Sequence, residues 1–453
     1  MGKVTLKQAA AWCGGTVDEQ YENITFCGAG NDTRSLLPGQ LFVALEGQRD
    51  GHDFIPAAME KGAAAVLCTR RVGDYPAIYV KDTRIALGEI AHQERMRLGM
   101  KVVAVTGSVG KSTTKEMIAQ VLESSFRTAK TPVNHNNDIG VPMAILSMPE
   151  DTQVAVLEMG MNHFREIAYL SKIGRPNVAV IVNIGTAHIE YLGSVQGIRK
   201  AKLEILEGMR KDGHLILNGD DSMLRNLPEE PKQKVVYFGT GDNCLVKASD
   251  IESGDGCLHF GVTFKDRHFP VKLPMEGLHF VPDALAAISV GLGMGVPTGK
   301  IQSALANFRN MEGRQEILRL DKYTVIKDCY NAGPESMAAA LKVLGSQPGR
   351  KIAVLGDMLE LGDCAEAEHY RIGRIAAENA DLVFAYGPNS QRVQVGTITG
   401  GMNPANAQCF DTHEALITAL RRAVKQGDVL LFKGSRGTHM EQVLEGLLKE
   451  ENT

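Results

Sequence analysis

The octapeptide Thr106-Gly107-Ser108-Val109-Gly110-Lys111-Ser112-Thr113 lies between an apolar run, Val102 to Val105, and a helical stretch, Lys115 to Ser124. Strand, glycine-rich turn and helix in that order make a phosphate cradle. The glycines let backbone N–H groups come close to phosphate oxygens, and the helix start adds partial positive charge. Lys111 brings a full charge, and the Ser112 hydroxyl after it can ligate magnesium. The commoner form of this loop has glycine six residues before the lysine. Val105 stands there, so this is the shorter Gly-x-x-Gly-Lys-Ser form. The bland reading is a glycine-rich turn with an incidental lysine. Lys-Ser-Thr in register with the helix favours phosphate, and Thr106 to Thr113 are assigned to a bound nucleotide.

Outward from this loop, β-like apolar runs recur at Val154 to Leu157, Val178 to Val182 and His214 to Leu217, with helix-length stretches between them. That alternation indicates a mostly parallel sheet covered on both faces. Residues 235–275 read as antiparallel strands and turns, followed by a helix from Asp283 to Met294. Before Lys101 lies a smaller α/β unit. Its strands are Leu41 to Leu45, Ala63 to Cys68 and Ala77 to Val80, and its helices Ile55 to Lys61 and Arg84 to Arg97. After Gly313, strand candidates Thr324 to Lys327, Lys351 to Leu355, Asp381 to Ala385 and Asp428 to Phe432 alternate with helices, a Rossmann-like pattern. The expected fold is therefore α/β in three domains. These are a small N-terminal α/β domain (1–98), a central P-loop-type domain with a mostly parallel sheet (99–312) and a C-terminal Rossmann-like domain (313–453).

Bulk properties agree. A chain of 453 residues is too long for one ordinary core. With 44% hydrophobic and 23% charged residues it has soluble globular composition. A net charge of −4, from 49 basic and 53 acidic residues, argues against a nucleic-acid or membrane-surface partner. Met1 to Gly15 carries Lys3 and Lys7 but no apolar core like that of a signal peptide. Ala284 to Thr298 is uncharged but too short to span a bilayer. The eight cysteines form no C-x-x-C pair, which disfavours a zinc site or disulfide framework. A cytoplasmic monomer is expected.

The strand Val154 to Leu157 runs into Glu158-Met159-Gly160-Met161-Asn162-His163. An acid at the C-terminal end of a buried strand beside the phosphate loop is where a magnesium ligand belongs. The competing reading is a solvated loop glutamate. The next strand ends in Asn183-Ile184-Gly185-Thr186-Ala187-His188, where Asn183 is a candidate nucleotide contact and His188 a candidate second-metal ligand.

Several segments extend the pattern: Asn134-His-Asn-Asn-Asp-Ile-Gly-Val-Pro142, Lys200-Ala-Lys-Leu-Glu-Ile205, Asp328-Cys-Tyr-Asn-Ala332, Leu355-Gly-Asp-Met-Leu-Glu-Leu-Gly362 and Lys433-Gly-Ser-Arg436. With the phosphate loop, Glu158 to Asn162 and Ala187-His188, they make the chain resemble the Mur ligases over essentially its whole length. The short phosphate loop is shared with folylpolyglutamate synthases. The Asn-Asn-Asp-Ile-Gly-Val-Pro and Gly-Asp-Met-Leu-Glu-Leu-Gly segments point to the branch that adds D-alanyl-D-alanine.

The resemblance implies an ATP-dependent amide ligase. It would join D-Ala-D-Ala to UDP-N-acetylmuramoyl-tripeptide through an acyl phosphate, with two magnesium ions, in peptidoglycan synthesis. It implies that Lys111 contacts the terminal phosphates, that Ser112 and Glu158 hold magnesium and that His188 helps bind the second ion. Lys202 corresponds to a carbamylated, metal-side lysine. Such a lysine must be neutral to capture CO2, which burial and cationic neighbours favour. The alternative is that Lys202 lies on the solvated face of a charged helix, Arg199 to Glu207, and the motif match decides between them. Arg314 matches a phosphate-contacting arginine, and Asp328, Tyr330 and Asn331 a nucleotide-side motif. The family's H-N-x-x-N-A near the adenine is replaced by His279-Phe280-Val281-Pro282-Asp283-Ala284. Asp283 can accept from the adenine amino group but lacks the amide's donor.

On the substrate side, Thr33 and Arg34 are candidates for the UDP-sugar; a surface turn with local hydrogen bonds is the alternative. Asn134, Asn137 and Asp138 are also assigned to substrate. Asn331, Asp357, Lys433, Ser435 and Arg436 are candidates for the incoming dipeptide. Two other functions compete. One is a different amino-acid ligase of the superfamily, although no Asp-Asn-Pro-Arg segment of the diaminopimelate-adding kind is found. The other is a noncatalytic ATP switch. Lys111→Ala is expected to abolish turnover, and near-normal phosphate release by that variant would refute the phosphate-loop assignment.

Overall fold

The computed structural model describes residues 4–449; residues 1–3, with Lys3 of the opening stretch, and 450–453 lie outside the described residues. In the N-terminal unit, β1 (Ala29–Gly30), β2 (Leu41–Val43), β3 (Ala65–Cys68) and β4 (Ala77–Tyr79) pair in parallel in that order. Every residue of β2 and β3 is buried, as continuous apolar runs in parallel sheets must be. Helix α1 (Thr83–Leu98) leads out of this unit. Asp82 caps it, accepting from the Arg84 and Ile85 amides at 2.8 and 2.9 Å.

The central sheet has nine strands. In chain order they are β5 (Lys101–Thr106), followed by helix α2 (Lys111–Glu123), then β6 (Thr128–Lys130), β7 (Val154–Glu158) and β8 (Val178–Ile181). After helix α3 (Val195–Leu203) come β9 (His214–Asn218), β10 (Lys234–Gly239), β11 (Val246–Gly254), β12 (Cys257–Phe264) and β13 (Arg267–Leu273). Their spatial order is β13-β12-β11-β10-β9-β8-β5-β7-β6. Strand β5 lies between β7 and β8, with all three parallel, so the loops after Thr106, Glu158 and Ile181 open on one sheet edge. That is where ligands bind in open parallel sheets.

The expectation of antiparallel strands throughout 235–275 is corrected. Strand β10 pairs in parallel with β9, from His214↔Lys234 to Asn218↔Phe238, and only β11-β12-β13 are antiparallel. The chain returns from β9 by a crossover through the short helix Ser222–Arg225, so β10 enters in the same direction. Helix α2 starts at Lys111 rather than Lys115 because the phosphate loop feeds it directly. The predicted Arg199 to Glu207 helix is α3 followed by a 3₁₀ turn, Glu204–Glu207. Helix α4 (Phe280–Gly293) is almost wholly buried.

In the C-terminal unit, β14 (Glu316–Arg319) is antiparallel to β15 (Thr324–Asp328). Then come helix α5 (Pro334–Ser346), β16 (Lys351–Gly356), helix α6 (Ala365–Asn379), β17 (Leu382–Tyr386), β18 (Ala407–Phe410) and β19 (Val429–Lys433). The order is β14-β15-β19-β16-β17-β18, with β19 placed between β15 and β16. Strands β14 and β18, at the two edges, were not anticipated from the sequence. Among the described residues no helix is long and apolar enough to cross a membrane.

Helix α4 can lie close on α2 because Gly291 faces it. A Cβ there would stand 2.7 Å from Val121 Cγ1 and 3.1 Å from Ile301 Cδ1. Gly291→Leu is expected to lower stability by about 1–3 kcal/mol through overpacking, measured as a fall in the urea midpoint of unfolding.

Candidate active site

The phosphate loop is held from below and from the side. Gly110 has φ 86°, the left-handed region that favours glycine. A Cβ there would stand 2.6 Å from Asp283 Oδ1. From the end of β8, the Asn183 side-chain oxygen accepts from the Ser108 and Val109 amides at 3.0 and 2.9 Å. Its amide nitrogen donates to Val109 O at 2.9 Å. Ser108 Oγ accepts from the Gly185 amide at 2.8 Å. Lys111 Nζ donates to Gly107 O at 2.9 Å and Ser108 O at 3.3 Å, and burial holds its pKa below the ordinary lysine value. Ser108 through Thr113 line a cavity of about 570 Å³; Thr106 and Gly107 do not line it.

Glu158, at the end of β7, is 3% exposed and is not a solvated loop residue. Asn136 Nδ2 donates to its Oε1 at 2.9 Å, and the fully buried Lys115 places Nζ 3.8 Å from its Oε2. The same Nζ donates to Thr131 O at 2.9 Å and approaches Glu116 Oε1 at 3.1 Å. A buried lysine needs such partners. Ser112 Oγ, 3.0 Å from Arg314 Nη2, faces the same cavity. A hydroxyl and a carboxylate beside a phosphate cradle suit magnesium, which takes few protein ligands and completes its shell with phosphate oxygens and water.

The side chains assigned to a second ion do not form a ligand set as they stand. His188 Nδ1 lies 2.6 Å from Glu360 Oε2, an electrostatic approach whose angles do not make a well-aligned hydrogen bond. That contact holds the Glu360 carboxyl below its ordinary pKa. Lys202 is an amine, and among the described residues no group of three or more His, Cys, Asp or Glu could hold an ion. Lys202 is 1% exposed, which corrects the solvated-face reading. Burial, with the Lys111 cation nearby, pushes its pKa well below the ordinary lysine value. That favours the neutral amine that CO2 capture requires.

The C-terminal unit supplies the opposite wall. Arg314 lies over the Tyr330 ring, 3.9 Å from its centroid, and the Tyr330 hydroxyl donates to Asn134 Oδ1. Lys433 Nζ donates to Asp328 Oδ2 at 2.6 Å and to Asn331 O at 3.1 Å. Ser435 Oγ accepts from the Leu359 amide at 2.9 Å and donates to Ala332 O at 3.0 Å. Arg314, Asp328, Tyr330, Asn331, Lys433, Ser435, Arg436 and His279 all line the cavity. Burial lowers the pKa of His279 to about 4. A smaller hollow of about 230 Å³ is lined by Asn134, Tyr330, Asn331 and Arg436.

Other assigned residues are engaged elsewhere. Asp283 lines the cavity, but its Oδ1 accepts from Thr114 Oγ1 at 2.7 Å beneath the phosphate loop, so that oxygen supports the loop rather than adenine. Asp357 is buried and takes Asn389 Nδ2 at 2.8 Å; it does not line the cavity. Arg34 is spent on Asp32, Nε to Oδ1 at 3.0 Å and Nη2 to Oδ2 at 2.6 Å, while Thr33 O accepts from Lys61 Nζ at 2.6 Å. The hydrogen bonds of a local turn are present, and the Arg34 side chain stays largely exposed. Asn137 Oδ1 accepts from the Gly140 amide at 2.8 Å, and Asp138 pairs with Arg84 of α1 at 2.8 Å. Sequence reasoning did not single out Asn136, Lys115, Glu335 or Glu360. Asn136 and Glu360 lie inside quoted segments, whereas Lys115 and Glu335 carry no signal of their own.

A phosphate loop with a carboxylate on the next strand, closed over by a Rossmann-like unit, defines a nucleotide-dependent enzyme with a second substrate wall. The family comparison is specific. Residues 105–291 match the Mur ligase middle domain, 313–436 the Mur ligase glutamate ligase domain and 23–95 the Mur ligase family catalytic domain. The chain belongs to the Mur ligase family. It is 39% identical to the UDP-N-acetylmuramoyl-tripeptide–D-alanyl-D-alanine ligase of Bacillus subtilis (strain 168), with 99% of each chain covered. It is 37% identical to the enzyme of that name from Escherichia coli (strain K12), again over 99% of each. MurF from Acinetobacter baumannii superposes with TM-score 0.91 at 34% identity, over 99% of both chains. MurF from Thermotoga maritima, solved in complex with ADP, superposes with TM-score 0.83 at 30% identity, over 94% of this chain and 99% of that one.

Asp283 gives the site a pH signature. Burial raises its pKa from 3.8 to about 8, against the lowering effects of the Thr114 hydrogen bond and the Arg314 charge. The folded chain thus keeps a proton that the unfolded chain has released. The stability this brings is whole below about pH 4 and is lost as pH rises toward 8. Asp283→Asn is expected to gain stability relative to the parent between pH 5 and pH 9. Urea midpoints across that range test it, and a constant difference would mean the carboxyl is already ionised in the fold.

Proposed function

We propose that this chain uses ATP to join the amine of D-alanyl-D-alanine to the peptide carboxylate of UDP-N-acetylmuramoyl-tripeptide, a step of peptidoglycan synthesis. The observation that carries the reading is one cavity with two walls: Lys111, Ser112 and Glu158 on the central side, and Arg314, Lys433 and Ser435 on the C-terminal side. We assign residues 1–98 to the UDP-sugar, 99–312 to ATP and 313–453 to the incoming dipeptide.

The peptide carboxylate attacks the γ-phosphorus of ATP. The bond to the β-phosphate oxygen breaks, and ADP leaves an acyl phosphate. The amine nitrogen then attacks the acyl carbon; inorganic phosphate departs with the C–O electron pair, and the nitrogen loses its extra proton. Lys111, the loop amides and Arg314 stabilise the charge in transit. Ser112 and Glu158 would hold magnesium, which would supply charge neutralisation to the phosphoryl group in transit. No step is assigned to a second ion. An ATP-consuming step and eight unpaired cysteines suit the reducing cytoplasm.

Phosphate release from ATP and Mg2+ is the test. It is expected to require UDP-N-acetylmuramoyl-tripeptide and D-Ala-D-Ala together. Equal release with shorter precursors or folates would reassign the branch, and ATP binding without release under any pairing would favour the switch reading.

A further inference from the structure

Glu335, the second residue of α5, reaches from the C-terminal unit to the loop after β8. Its Oε1 accepts from the Thr186 amide and from Thr186 Oγ1, both at 2.9 Å. Gly185 permits this approach, because a Cβ there would stand 2.8 Å from the Glu335 carboxyl carbon. Two hydrogen bonds on one oxygen fix the side chain. The other oxygen, Oε2, is buried and has no hydrogen-bond partner. Glu335 lines the same cavity as Lys111, His188 and Lys433.

Three charged residues on the cavity wall already have partners. Lys433 is held by Asp328, Glu158 by Asn136 and Lys115, and Glu360 by His188. A buried carboxylate oxygen without a donor calls for a ligand that supplies one. In the proposed reaction that donor is at hand. An α-amine has an ordinary pKa near 8, so the acceptor arrives largely as an ammonium. It must enter a cavity whose wall carries Lys111 and Arg314, whose charges oppose it. We infer that Glu335 Oε2 receives the ammonium of the incoming dipeptide, offsetting that repulsion and setting its nitrogen beside the Thr186–His188 loop. Glu335 is on this reading a positioning and specificity residue for the acceptor. A metal ion suits the oxygen less well, since no cluster of three His, Cys, Asp or Glu side chains among the described residues accompanies it.

The inference rests on the proposed acceptor, and the experiment separates the two. Full-length wild type, Glu335→Gln and Glu335→Ala are compared by phosphate release while D-Ala-D-Ala is titrated at saturating ATP, Mg2+ and UDP-linked tripeptide. The KM for the dipeptide is expected to rise at least about tenfold in both variants, the scale of a hydrogen bond to a charged group. The KM values for ATP and the UDP-linked tripeptide stay unchanged. D-lactyl-D-alanine, with hydroxyl in place of the amine, should inhibit wild type and Glu335→Gln alike. Glutamine keeps an oxygen for Thr186, so a purely structural latch predicts a normal dipeptide KM in Glu335→Gln, and that result would overturn the inference. A shift in the Mg2+ requirement instead would make Glu335 a metal ligand and overturn it too. Wild type that ignores D-Ala-D-Ala while using another acceptor would sink the functional reading itself.

Discussion

The site depends on how one irregular segment of backbone is kept in shape. A turn between strand and helix has main-chain groups with no ladder to join, and they must find partners. Asn183 satisfies three of them in the loop after β5. It can do so because β8 pairs with β5 in the register Ile181↔Thr106, which brings the two loops level. Strand pairing therefore transmits directly to the cradle. Lys111 and Lys115 stand four residues apart, on one face of α2. The first faces the cavity; the second, fully buried, supports Glu158. The phosphate side and the magnesium side thus hang from the same turn of helix.

The two walls of the cavity touch at several points. Arg314 meets Ser112, Tyr330 meets Asn134, Glu335 meets Thr186 and Glu360 approaches His188. In the last contact both residues have left-handed backbone, φ 63° and 62°, which is uncommon outside glycine. Such conformations collect where surrounding contacts over-determine a functional loop. All four contacts gather at the edge where the central strands end.

Legibility in the sequence followed the range of the interactions. The phosphate loop, the parallel strands on either side of it and the C-terminal alternation were readable because strand and helix periodicity is local. The parallel pairing of β10 was not, because its apolar run looks the same in either orientation and only the crossover decides it. Lys202 looked like part of a charged helix face; its burial comes from distant packing. Arg34 could not be separated from a surface turn, since its partner Asp32 is two residues away and satisfies it locally. Asp283 departs from the family pattern at a position read as adenine-facing, whereas one of its carboxyl oxygens supports the loop beneath Gly110. Glu335 was invisible because both the residue it bonds and the glycine that admits it lie in another unit.

The place of β19 has a consequence for the order in which the protein is made. Val429–Lys433 lies between β15 and β16, with both as hydrogen-bonded neighbours, yet it is the last strand of its sheet to leave the ribosome. Until it emerges, β14-β15 and β16-β17-β18 are two fragments with a gap between them and unpaired edges facing it. The N-terminal and central units, whose strands are complete by Leu273, can settle well before that. Because Lys433 ends this strand and Ser435 follows it, the nascent chain gains the second wall of its cavity in the same step that seals the sheet. A chain stopped short of that strand would carry a finished nucleotide cradle facing an unfinished partner.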